Sequence, residues 1–123
     1  MSFDLGVFHV DSPISSSEAA EIYVQLCEGN VDVVNPSENI DSFVQELTSQ
    51  YPQIDDYSDE DVDDCPWSTS FDISDGSVVM PMVWSRVEEV APVVMRLAAK
   101  YDLACYDPQE DRVILPPSLS RRE

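Results

Sequence analysis

Apolar positions alternate from the start of the chain. Phe3, Leu5 and Val7 share one face of "FDLGVFHV", the period of a half-buried strand. In "DSPISSSEAAEIYVQLCEG" the period lengthens: Ala20, Tyr23, Val24 and Cys27 fall on one helical stripe. Ser15 and Glu18 have capping-box spacing, and Gly29-Asn30 ends that helix. "NPSENIDSFVQELTSQYP" repeats the logic, with Asn35 as cap, Pro36 at the first helical position and Glu38 completing the box. Ile40, Phe43, Val44, Leu47 and Tyr51 mark its buried face, and Pro52 stops it.

"FDISDGSVVMPMVW" reads as a hairpin whose Asp75-Gly76 turn supplies positive φ angles. Pro81 lacks a ladder donor, which predicts an edge or a bulge at that strand. Ser85 and Glu88 suggest a third capping box. Val87, Val90, Ala91, Val94, Leu97, Ala98 and Tyr101 follow at helical spacing, with Pro92 expected to kink or reset the helix. "DLACYD" and "RVILP" predict two short strands joined by "DPQED".

The elements add up to β-α-α-β-β-α-β-β. This order predicts a two-layer α+β sandwich with helices on one face of a mostly antiparallel sheet. It is a variant of the ferredoxin-like split βαβ arrangement with an extra helix and a terminal hairpin. No internal repeat or boundary divides it, so residues 1–117 are expected as one domain and 118–123 as a tail.

Composition changes the picture through charge. The chain has 123 residues, 43% of them hydrophobic, enough for one core. It carries 25 Asp plus Glu against 6 Lys plus Arg, a formal charge of −19. No Lys or Arg precedes Arg86, so the 18 acids before it leave the first 85 residues near −18. Such a surface repels bare nucleic acid and anionic membranes, and attracts cations or basic proteins. Cys27, Cys65 and Cys105 are an odd set without CxxC spacing. With no signal-peptide pattern and no membrane-length apolar run, a cytoplasmic location with free thiols is expected.

Within "YPQIDDYSDEDVDDCPW" seven of the ten positions from Asp55 to Asp64 are acidic. Asp59, Asp61 and Asp63 alternate as calcium ligands would, but an EF-hand needs Gly where Asp64 stands and Glu where Ser70 stands. His9 is the only histidine, which leaves a zinc site or a His-based hydrolase without partners, and there is no GxSxG elbow or Gly-rich phosphate loop. No enzyme activity, metal or cofactor is therefore expected. Tyr57, Trp67 and Trp84 accompany the acids, and two readings stand side by side. The tryptophans staple the loop to the core, or they anchor a partner that the charges steer. On the second reading the partner-binding residues are Asp55, Asp56, Tyr57, Asp59, Glu60, Asp61, Asp63, Asp64 and Trp67.

"VVMPMVWSRVEEV" followed by "LAAKYDLACYDPQEDRVILPP" resembles a set of small acidic bacterial proteins. These begin with an "FDL"-type strand and carry an acidic loop ending in Pro-Trp. They finish with a Trp-Ser-Arg helix start and a Leu-x-Cys-Tyr-Asp-Pro-Gln hairpin. The likeness covers most of the chain and is clearest over residues 78–115; Pro92 and the length of the acidic run depart from it. Some of these proteins look like immunity proteins of polymorphic toxin systems. The resemblance implies a cytoplasmic inhibitor, monomeric alone, that occludes a cognate toxin, and a basic nuclease-like toxin would suit the charge. An acidic secretion chaperone holding an effector segment and a nucleic-acid mimic are the alternatives.

Overall fold

Strand β1 (Phe3–Phe8) lies in the middle of the sheet because both of its faces are apolar. Leu5 and Val7 point into one core, and Phe8 points into another on the opposite side. The computed structural model describes residues 3–120, so residues 121–123 of the expected tail lie outside the described residues. Around β1 stand β2 (Asp72–Ile73), β3 (Ser77–Met82), β4 (Ala104–Asp107) and β5 (Arg112–Ile114), in the order β2-β3-β1-β4-β5. Every pairing is antiparallel.

Helices α1 (Ser16–Cys27), α2 (Glu38–Gln50) and α3 (Val87–Lys100) interleave with the strands, and a short α4 (Pro117–Ser120) follows. β1 and β2 are both antiparallel to the strands beside them, with β3 inserted between them. β1 is likewise inserted between β3 and β4. This is the expected α+β split arrangement, with β5 as the added terminal hairpin.

The two-layer sandwich is built by α2 and α3. Ile40, Phe43 and Leu47 of α2 meet Val90, Val94 and Leu97 of α3 over Leu5, Val7, Val78, Met80 and Met82. The expectation that the helices share one face holds for α2 and α3 only: the extra helix, α1, covers the other face, where Ala19 and Leu26 pack with Phe8, Ala104 and Tyr106. Gly6 makes room for it: a Cβ there would lie 2.8 Å from a ring carbon of Tyr23. The buried stripe of α1 is therefore rotated from the expected one, and Val24 and Cys27 are exposed.

Local details depart from expectation where tertiary contacts outbid short-range ones. The Ser15–Glu18 capping box forms as read. The other two do not. Asn35 donates its side-chain N–H to Asp11 instead, and Ser37 caps α2 by accepting from the Asn39 N–H. A 3-10 turn, Trp84–Arg86, leads into α3, which has no side-chain cap. α3 runs through Pro92, which lies on the exposed side of the helix one turn after the exposed Glu88. Pro81 accepts from Ser68 N–H on the side away from β1, beyond the end of β2, where its missing donor interrupts no long ladder.

The Asp75-Gly76 turn has no positive φ. It is closed by Ser74 N–H to Ser77 O at 2.8 Å. Gly76 is needed for closeness: a Cβ would lie 2.2 Å from the Asn35 carbonyl oxygen. At the C-terminal side, Asp102 takes φ 57° and ends α3 with Leu103 N–H on Ala98 O and Asp102 N–H on Ala99 O. Its carboxylate holds Ser118 N–H and Oγ, so the expected tail begins with a tethered helical turn.

Candidate functional site

The acidic segment leaves α2 at Tyr51 and returns to the sheet at Trp67, which bridges to Met82. It is a surface loop built on two 3-10 turns, Ile54–Asp56 and Val62–Asp64. Ile54 and Tyr57 are its apolar feet, half-buried against the α2–α3 core. Ser58 Oγ donates to Asp61 Oδ2 and accepts the Asp61 N–H, the local bonding that short polar side chains favour. Asp55 takes Ser70 Oγ at 2.8 Å, and Gln53 takes the Phe71 N–H at 3.0 Å, which ties the two ends together.

Arg86 braces the far side. Its Nε and Nη2 reach both carboxylate oxygens of Glu89 at 3.0 Å, a bidentate pair, while Nη1 donates to the Asp64 carbonyl. The guanidinium holds the Glu89 carboxyl below its usual value. Burial pushes the Tyr57 hydroxyl and the Cys65 thiol up, so both remain neutral packing groups at neutral pH.

All seven acids from Asp55 to Asp64 are exposed. The loop thus presents Asp55, Asp56, Asp59, Glu60, Asp61, Asp63 and Asp64 to solvent. Tyr57 is on the same loop but offers only part of its ring.

Trp67 requires a correction. It is only 1% exposed, meets Phe71 edge-on at 4.6 Å, and donates its indole N–H to the Tyr51 carbonyl at 3.0 Å. It staples the loop and cannot contact a partner. Burial of a large ring beside Cys65 and Phe71 is favourable once the indole N–H is satisfied. Trp84, weighed beside Trp67 in the sequence but left out of the partner-binding set, is 51% exposed and leans on Phe3 at 5.2 Å. Val83 N–H bonds Pro66 O, so this indole stands at the same end of the sheet as the end of the acidic run.

At the opposite end of β1, His9 Nε2 lies 2.8 Å from Asp11 Oδ1, and Asn35 holds the other oxygen. These hydrogen bonds, His9 first, lower the Asp11 carboxyl below its usual value. The histidine is half-buried at a rim and joins two loops.

The Cys-Tyr-Asp-Pro-Gln stretch is architectural. Asp107 accepts Gln109 N–H at 2.9 Å, and the Gln109 side chain completes the ladder by bonding both the N–H and the carbonyl of Asp4. The β1–β4 register would place Pro108 opposite Asp4, and proline has no N–H to offer. Cys105 is buried, and its thiol is pushed up to about 12 by burial.

Among the described residues no three His, Cys, Asp or Glu side chains are grouped to hold a metal ion, and no helix is long and apolar enough to cross a membrane. No protein-family model, curated protein or solved structure matches the chain, so its own geometry carries the functional reading.

Proposed function

We propose that this chain is an inhibitor of the immunity type: cytoplasmic, monomeric alone, binding one folded toxin domain and occluding it. The observation that carries the reading is the braced loop from Asp55 to Asp64, whose seven acids are all exposed. Nuclease-like toxins grip phosphates with Lys and Arg, so an acidic surface both steers toward them and competes with their substrate. A loop held by Arg86, Ser70 and Gln53 presents its charges without a large ordering penalty. The likeness to small acidic bacterial proteins, clearest over residues 78–115, supports the same reading because some of those proteins look like immunity proteins.

The test begins with capture from lysate of the source cells, at low and then high salt, with the retained protein identified by mass spectrometry. A basic folded domain whose toxic activity is blocked by an equimolar amount of this chain is the expected result. Changing Asp59, Asp61 and Asp63 together to Asn should slow association roughly tenfold at low salt and flatten its salt dependence. Wild-type rates and salt slope in that variant would remove the loop as the steering surface. Retention of an extended effector segment would replace the inhibitor with a secretion chaperone.

A further inference from the structure

We propose that Trp84 is the anchor of the interaction surface and that it receives an arginine side chain from a basic protein partner. This rests on the reading above that the partner is basic.

A tryptophan half open to water is an unusual place to leave a large apolar ring in a domain that buries its other one completely. Trp84 is not loose. It opens the 3-10 turn Trp84–Arg86, with the Val87 N–H on its carbonyl, and Phe3 meets it nearly perpendicularly at 83°. A perpendicular contact covers at most one face of the indole, and Trp84 remains 51% exposed.

The surroundings choose the chemistry of what covers it. The acidic run ends at Asp63 and Asp64, and Pro66 then hydrogen-bonds the residue before Trp84. Arg86, the nearest cation along the chain, is turned to Glu89 and the Asp64 carbonyl. An exposed apolar ring at the end of the sheet where the acidic run finishes matches a guanidinium, which stacks on an aromatic face while its edge pairs with carboxylate oxygens. An ammonium pairs with the acids but stacks less well. The combination therefore selects arginine over lysine, a discrimination that charge alone does not supply.

The experiment titrates the intact chain with oligo-arginine and oligo-lysine peptides of equal length. Two-dimensional NMR reads the two indole N–H signals, one for each tryptophan. The expected result is a moving Trp84 signal, a still Trp67 signal, and a preference for arginine of roughly threefold or more. In Trp84→Ala that preference should vanish while salt-sensitive binding of both peptides persists. An unchanged Trp67 signal confirms the variant's fold, and Trp84→Leu, which keeps an apolar cover on Phe3, serves if the alanine form does not fold. Equal affinities with an unmoved Trp84 signal would overturn the anchor and leave the acidic docking surface standing. No salt-sensitive binding of either peptide would overturn both.

Discussion

Single residues decide how closely the pieces of this chain approach. Gly76 lets the β2–β3 turn press against the backbone of Asn35, and Ser37 N–H bonds Asp75 O in the same place. A methyl group there meets a backbone carbonyl, which cannot rotate away. Gly76→Ala should therefore destabilise the fold by about 1–3 kcal/mol, read as a lowered urea midpoint at unchanged slope. A midpoint equal to wild type would show that the turn can retreat. The two tryptophans teach the complementary lesson. Trp67 follows the acidic run and Trp84 an apolar strand, yet Trp67 finds a carbonyl for its indole N–H and a ring to pack on, while Trp84 leans on Phe3 and stays half exposed. Which aromatic is core and which is surface depends on neighbours distant in sequence, so residue type could not separate them.

At the scale of elements, periodicity was the reliable signal and capping the weaker one. The faces of α2 and α3 are buried as their spacing predicts, because each packs on a sheet that accepts a single stripe. α1 is apolar around more than one side, and the hollow over Gly6 chose the stripe. Capping boxes at Asn35 and Ser85 lost to longer-range bonds involving Asp11 and to the 3-10 turn before α3. α2 and α3 are further joined by Glu46, whose carboxylate accepts from Lys100 Nζ at 2.6 Å and from the Tyr101 hydroxyl. Lys100 first, then Tyr101, lowers the Glu46 carboxyl from its ordinary 4.5. A depressed carboxyl stabilises the fold above its ordinary value, and that contribution is lost as pH falls through the lowered one. The melting-temperature gap between wild type and Glu46→Gln should thus be open at neutral pH and close in acid below 4.5. Because the same pair raises Lys100 above 10.5, the gap should also close in strong alkali as the lysine loses its proton. A gap constant across acid pH would mean that Glu46 acts by packing instead of charge.

The whole molecule carries −19, and its ion pairs, among the described residues, are exposed or half-exposed ones such as Arg86–Glu89 and Lys100–Glu46. Exposed pairs contribute little, whereas net self-repulsion acts over the entire surface. Screening should therefore stabilise: raising NaCl from about 20 mM to about 500 mM should lift the melting temperature by several degrees. A flat or falling response would show that attractive pairs outweigh repulsion. Element order, the α+β class and the exposed acidic run all followed from the chain, since hydrophobic period and charge are properties of neighbouring residues. The assignment of α1 to the far side of the sheet, the burial of Trp67 and the exposure of Trp84 did not. Those outcomes depend on which surfaces meet when β1 is flanked by β3 and β4, a contact between segments tens of residues apart that no local pattern encodes.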